Sequence, residues 1–78
     1  MKKRILPLCE VPEGECAEIY KLMCKDENRR RFLDLGMING TKIVPLYRSP
    51  AGDPTAYLVR SAVIAVRRGD AKDILVKY

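Results

Sequence analysis

Three cysteines are the residues of this 78-residue chain whose chemistry first suggests a metal site. Cys9 and Cys16 flank residues 12–14, which are typical of a turn, so their two thiols could face each other as metal ligands. Cys24 follows on the same predicted strand as Cys16, and on a straight strand the two would lie about 26 Å apart at ~3.3 Å per residue. Structural zinc takes four ligands and the chain has no histidine, so packing thiols of a reducing compartment are favoured over a thiol-based metal sensor.

Catalysis is the next chemistry to consider, and the residue types argue against an enzyme. The commonest general base is missing because there is no histidine. The chain has no Gly-x-x-x-x-Gly-Lys phosphate-binding loop, and neither serine lies in a nucleophile elbow. The acidic residues Glu10, Glu13, Glu15 and Glu18 lie close in sequence, as on a solvated face. We therefore expect a protein that binds a partner and does not catalyse a reaction.

Basic residues form three groups, at residues 2–4, 29–31 and 67–68, and the net charge is +5. Such an excess favours an acidic partner, which includes nucleic acid. Consecutive arginines on a helix point about 100° apart, however, so three of them cannot form one stripe. Nucleic-acid surfaces also use exposed aromatic residues for stacking, and few are available here. A nucleic-acid-binding barrel stays open as an alternative, with a partner protein favoured over it.

The segment 49–54 reads Ser-Pro-Ala-Gly-Asp-Pro, a turn with proline near each end. Proline restricts φ and glycine frees it, so the backbone is stiff at the ends and adaptable in the middle. Such a turn joins two strands, and it also suits recognition because little entropy is lost on docking. The predicted protein-binding residues are Tyr47, Arg48, Ser49, Pro50, Gly52, Asp53 and Pro54, with Arg29 and Arg30 adding charge complementarity.

Short strands must position these residues, because turn signals recur with apolar runs between them. A helix over residues 27–35 is predicted, with Asp26 as its N-cap and Gly36 at its end. A helical turn capped by Asp70 is predicted before the last strand, and Pro45 indicates an edge or a bulge. The five predicted strands cover residues 16–24, 41–48, 55–60, 62–67 and 74–78.

Residues 1–78 are expected to form a single domain, since this length leaves no room for a second core. The proportions of 47% apolar and 32% charged residues are typical of a globular protein. Five short strands and one or two short helices cannot fill two packed sheets, so we predict a mainly β fold in which the sheet closes into a small barrel. No apolar run reaches the length of a signal sequence or of a membrane span of ~18 residues, so we expect a cytoplasmic protein.

Four segments resemble, in order and spacing, the FeoA family, the small cytosolic component of bacterial and archaeal ferrous iron uptake. Residues 8–19 resemble the family's opening leucine, turn and first strand, and residues 31–37 resemble its Leu-Gly helix end. Residues 48–54 resemble its most recognisable turn, and residues 64–76 its closing strand, helical turn and strand. Asn39 and Ser61 depart from the pattern, at positions where proline and glycine are common in the family.

The resemblance implies an SH3-like barrel with a regulatory or assembly role at FeoB, the large membrane transporter of ferrous iron that carries a cytosolic G-protein domain. It does not imply that this chain carries iron. The expected partner is the cytosolic portion of that transporter, which would recruit the chain to the inner face of the cell membrane. We expect no nucleic-acid partner, no cofactor beyond weak divalent-metal binding, and a monomer or weak oligomer. The same barrel occurs in iron-dependent repressors that resemble the diphtheria toxin repressor, fused there to a DNA-binding module.

Overall fold

The computed structural model describes residues 3–78, so Met1 and Lys2, the latter part of the first basic group, lie outside the described residues. Within residues 3–78, six strands form one antiparallel sheet, accompanied by two short α-helices and a 3-10 turn. The elements in chain order are β1 (Ile5–Pro7), the 3-10 turn (Leu8–Glu10), β2 (Ala17–Leu22), α1 (Asp26–Asp34), β3 (Lys42–Arg48), β4 (Thr55–Val59), β5 (Ala62–Val66), α2 (Arg68–Ala71) and β6 (Ile74–Lys77). The mainly β prediction is confirmed.

The strand order is β1-β6-β2-β3-β4-β5, so the last strand lies between the first two. The prediction of five strands missed β1, which has only three residues and includes Pro7. Its register with β6 pairs Ile5 with Lys77 at the opposite end of the chain. A strand this short shows no alternation, and pairing with a distant segment leaves no local signal.

Among the described residues, the hydrogen-bonded sheet has two edge strands, β1 and β5. The sheet therefore keeps an edge at β5, which pairs with β4 on one side, although closure was predicted to remove the edges. An edge strand presents unpaired backbone N–H and C=O groups on its other side.

The core lies between the inner face of the sheet and α1. Phe32 of α1 and Met37 just beyond it are fully buried, and so are Ile74 and Val76 of β6. Burial of each such side chain stabilises the fold by roughly 1.5–3 kcal/mol. No helix of residues 3–78 is long and apolar enough to cross a membrane.

Both predicted aspartate caps are wrong. Asp26 is the first residue of α1 and has φ of 40°, whereas an N-cap residue needs an extended backbone, and the helix has no side-chain cap. Asp70 lies inside α2 rather than before it. Its carboxylate is used instead for contacts with α1, accepting a hydrogen bond from Asn28 at 3.2 Å and lying 3.8 Å from the Arg31 guanidinium.

Candidate protein-binding site

A β-bulge in β3 determines which residues reach each side of the predicted site. Pro45 pairs with Tyr57 and Tyr47 pairs with Ala56, so Leu46 is the extra residue of the bulge. Side chains alternate along a strand, and one extra residue shifts the alternation. Pro45 is thus buried while Tyr47 is 59% exposed, two positions on. Of the edge or bulge indicated by Pro45, the structure has the bulge.

Hydrogen bonds within the turn at residues 49–54 hold it in one shape. The Ser49 hydroxyl donates to the carbonyl of Asp53 at 2.8 Å, and the Ser49 N–H donates to the carbonyl of Pro54 at 2.9 Å. The Gly52 N–H donates back to the Ser49 carbonyl at 2.8 Å. Gly52 has φ of 90°, a conformation that costs other residues energy.

A tertiary hydrogen bond fixes this turn against α2. The backbone N–H of Arg68, the first residue of α2, donates to Asp53 Oδ1 at 2.8 Å. The first N–H groups of a helix have no partner inside the helix, so Asp53 supplies the cap that Asp70 was expected to supply. The turn and the helix are therefore positioned as one unit.

A cleft of about 270 Å³ lies on the side of the turn that faces the 3-10 turn and the loop after it. Its opposite wall is fixed because the Gly14 N–H donates to the Pro45 carbonyl at 2.7 Å, beside the bulge. The lining residues are Cys9, Glu10, Val11, Pro12, Glu13, Pro45, Arg48, Gly52, Thr55, Tyr57 and Arg68. The charged residues among them, Glu10 and Glu13 on the side of the 3-10 turn and Arg48 and Arg68 on the side of the 49–54 turn, suit a polar, charged segment of a partner.

Tyr57 is the aromatic residue among those that line the cleft, and it is buried. Burial raises the pKa of its phenol, and the nearby Cys9 thiol raises it further. The phenol therefore stays neutral at physiological pH and is a hydrogen-bond donor.

A second, apolar groove of about 240 Å³ lies on the other side of the same turn, and it is lined by Tyr47, Ser49, Pro54, Ala56, Val63 and Ala65. The outward residues of three strands meet here, since Tyr47 is opposite Ala56 and Ala56 is opposite Ala65. The turn thus separates a charged cleft from an apolar groove. Of the predicted residues, Arg48 and Gly52 line the cleft, and Tyr47, Ser49 and Pro54 line the groove.

The helix arginines named with the turn are not joined to it directly. Arg29 and Arg30 are exposed on α1, and no hydrogen bond or ion pair within residues 3–78 links either side chain to residues 49–54. The connection is indirect. Asp70 bridges α1 to α2, and α2 holds the turn through Asp53. Their part in binding stays a prediction.

The three thiols lie in different environments. Cys16 is exposed, Cys9 is half-buried in the cleft, and Cys24 is buried in the core, where burial raises its pKa. Among residues 3–78, no group of three or more His, Cys, Asp and Glu side chains could hold a metal ion. Metal binding by Cys9 and Cys16, the alternative to packing thiols, is not tested by the structure and would need ligands from elsewhere.

Sequence reasoning missed Arg68 in the cleft, and Ala56, Val63 and Ala65 in the groove. Arg68 leaves no local signal, because its contact with Asp53 spans 15 positions of the chain. The groove residues did leave one. Residues 62–66 read Ala-Val-Ile-Ala-Val with no polar position, which is unusual for a strand with one face in water.

The fold and this arrangement define a small SH3-like domain with a rigid turn between two concave surfaces. Residues 6–78 match the FeoA domain, and the chain belongs to the FeoA family. The resemblance noted in the sequence is confirmed.

Solved structures of family members share the fold. A FeoA protein from Chlorobium tepidum is 32% identical with a TM-score of 0.88, and the match covers 92% of this chain and 69% of that one. FeoA from Stenotrophomonas maltophilia, complexed with zinc and described as a prokaryotic SH3 domain protein, is 25% identical with a TM-score of 0.81. That match covers 91% of this chain and 88% of the other. The SH3-like prediction is confirmed.

A curated relative joins two components of iron transport in one chain. The Fe(2+) transport protein A/Fe(2+) transporter FeoB fusion protein of Porphyromonas gingivalis is 30% identical over 70 residues. The match covers 90% of this chain but 8% of that protein, so this chain spans less than a tenth of the relative's length.

Proposed function

We propose that this chain is an accessory protein of ferrous iron uptake that acts by binding the cytosolic portion of a FeoB-type transporter. The FeoA family is associated with ferrous iron transport, and the Porphyromonas gingivalis relative carries both names in one protein. Fusion raises the effective concentration of two modules that bind each other. That arrangement supports a physical association between the separate proteins as well.

The main support for placing the contact surface at residues 49–54 is the anchoring of this turn. Its internal hydrogen bonds and the bond from Arg68 to Asp53 hold the backbone before any partner arrives. A pre-organised surface loses less entropy on association than a mobile loop does. The cleft on one side supplies charge and the groove on the other supplies apolar area.

The chain acts in this proposal by contact and regulation, and iron passes through the transporter alone. Recruitment to the inner face of the membrane follows from binding the transporter, so the chain itself works in the cytoplasm. The cleft is lined by two acidic residues, Glu10 and Glu13, and two basic residues, Arg48 and Arg68, which suits recognition of a partner.

The test is calorimetric titration of the full chain with the transporter's cytosolic portion, comparing Asp53→Lys with Asp34→Lys. Both variants exchange an exposed carboxylate for an ammonium group, but Asp53 lies in the anchored turn between the two concave surfaces, whereas Asp34 lies on α1 outside that turn. We expect Asp53→Lys to weaken binding by about tenfold or more and Asp34→Lys to leave it unchanged.

Gly52→Val is a second variant, which distorts the turn at φ of 90° without changing charge. Circular dichroism and thermal unfolding establish that each variant is folded. Wild-type affinity in both folded turn variants would remove the turn from the contact surface, and absence of binding by the wild type would remove the proposed function.

A further inference from the structure

Strand β5 (Ala62–Val66) is the open end of the sheet on the side of the apolar groove. It pairs with β4 along its whole length and ends the strand order. Its sequence has no charge, no proline and no bulge in its register, the devices by which edge strands usually avoid pairing.

The turn between β4 and β5 identifies which backbone groups are free. Arg60 and Ser61 have φ of 50° and 68°, as in the two-residue type I′ turn of a hairpin. In such a hairpin, the closing pair Val59–Ala62 is hydrogen-bonded, and hydrogen-bonded and non-bonded pairs then alternate. Val63 and Ala65 therefore direct their N–H and C=O groups away from β4, toward the open edge.

The same two residues line the apolar groove with their side chains. Val63 is 60% exposed, and together with Ala65 it forms the groove wall nearest the open edge. A strand added beside β5 would bond to the backbone of Val63 and Ala65 while its alternate side chains reach the groove. Backbone pairing supplies affinity in this mode of recognition, and the pocket supplies specificity.

Charges at both ends of β5 select the occupant. Arg60 precedes the strand, and Arg67 and Arg68 follow it. None of the three takes part in an ion pair among the described residues. A second copy pairing antiparallel about Ile64 would bring the Arg60 end of each strand beside the Arg67 end of the other, and like charges brought together in this way are destabilising. A segment with acidic residues at its ends would instead place carboxylates beside these arginines, which is stabilising.

We propose that β5 accepts, as a seventh strand, an extended segment of a partner protein that is apolar in the centre and acidic at both ends. The inference deepens the proposed function and rests on it for the source of that segment, which would be the transporter. The length, apolar centre and acidic ends of the segment are inferred from β5 and its flanking arginines, and they do not depend on the proposed function.

The first experiment measures amide hydrogen exchange by NMR on the full chain, with a nine-residue probe peptide. The peptide has two glutamates, an alternating run of three valines and two threonines, and two further glutamates. In the free protein, we expect fast exchange at the Val63 and Ala65 amides and slow exchange at Ile64, whose N–H faces Tyr57 across the ladder. The peptide should slow exchange at Val63 and Ala65 selectively.

Two control peptides test the contribution of charge and the contribution of backbone hydrogen bonds separately. Lysines in place of the glutamates should weaken binding by about tenfold because they face arginines. Methylation of the peptide's central backbone nitrogens should weaken it by about tenfold through lost hydrogen bonds. Unchanged exchange at Val63 and Ala65 at millimolar acidic peptide would overturn the proposal, as would equal binding of the lysine peptide. Protection of these amides that grows with protein concentration alone would also overturn it, in favour of a second copy.

The second experiment separates this inference from the proposed function. Val63→Lys places a charge at the groove, whereas Ile5→Lys makes the same exchange at a 50% exposed residue of the other edge strand. We expect Val63→Lys to lose binding to the transporter's cytosolic portion and Ile5→Lys to retain it. Equal, wild-type binding by both would overturn the β5 assignment and leave the proposed function intact.

Discussion

Asp53 lies in the turn that carries the family likeness, and its side chain bonds to a helix that the local sequence does not connect with that turn. One carboxylate oxygen accepts the hydrogen bond from the Arg68 N–H, so the exposed turn is fixed to α2. The role of Asp53 thus depends on the direction in which its carboxylate points, toward α2. Tyr47 is a similar case, since the bulge beside it directs its ring to the groove rather than the core.

Asp53→Ala should lower the free energy of unfolding by about 1 kcal/mol, because the helix loses a charge-assisted cap on its first N–H. The matched control is Glu13→Ala, which removes an exposed carboxylate from the same cleft. That substitution should change stability by less than about 0.5 kcal/mol. Urea unfolding measures both, and equal values for the two variants would contradict the capping role.

The Tyr78 side chain should make the free energy of unfolding depend on pH in the alkaline range. Its phenol donates a hydrogen bond to the Glu15 carboxylate, and that bond raises the pKa of Tyr78. Because the pKa is higher in the folded state than in the unfolded state, the bond stabilises the fold fully below the unfolded pKa of about 10. This contribution is lost as pH rises through the folded pKa.

The stability difference between wild type and Tyr78→Phe should therefore be constant at neutral pH and shrink above pH ~10. Denaturant unfolding across that range measures it. Tyr47→Phe removes an exposed phenol hydroxyl that is not bonded to Glu15, and it serves as the control. A difference that grows with alkaline pH would contradict the assigned bond.

At the scale of elements, the junction between α1 and the β4–β5 turn is held by a glycine and an arginine. Gly36 ends α1 with φ of 87°, and the Arg60 side chain lies over it. A Cβ atom added at Gly36 would lie 2.5 Å from Arg60 Cδ, so the arginine would have to move. The glycine predicted as a helix terminator also makes room for a distant hairpin.

Gly36→Ala should destabilise the protein by about 1–2 kcal/mol, through the left-handed backbone and the displaced arginine. Gly69→Ala in α2 has open space and no positive φ, so it should be neutral or stabilising by up to about 1 kcal/mol. Gly40→Ala, at φ of 91° with open space, isolates the backbone cost. Thermal unfolding ranks the three, and a Gly36→Ala no worse than Gly69→Ala would contradict this account.

At the scale of the whole molecule, the net charge of +5 acts over distances longer than any contact. Ion pairs within residues 3–78 are Lys3–Glu18 and Arg31–Asp70, which leaves most basic side chains available to an acidic partner. Charge of this kind steers encounter and is screened by salt.

Association with the transporter's cytosolic portion should therefore slow by about tenfold between ~50 and ~500 mM salt, with little change in the dissociation rate. Stopped-flow fluorescence measures both rates. A random oligonucleotide at ~50 mM salt is the control for the nucleic-acid alternative, because phosphate binding would be strongest there. We expect no saturable binding in fluorescence anisotropy, and tight, salt-sensitive binding would favour that alternative.

The sequence by itself determined the features that depend on neighbouring residues. The turn at residues 49–54, the bulge at Pro45 and the helix end at Gly36 follow from backbone preferences of proline and glycine. Short apolar runs between such turns indicated the mainly β fold, and together these local signals carried the family likeness.

Only the tertiary structure decided how distant segments meet. It inserted β6 between β1 and β2, and it joined Asp53 to Arg68. It also left β5 open beside an apolar groove, where a closed barrel was expected. These features depend on pairings between residues far apart in the chain, which form because burial and hydrogen bonding favour them together. No preference of a single residue or its neighbours encodes such a pairing.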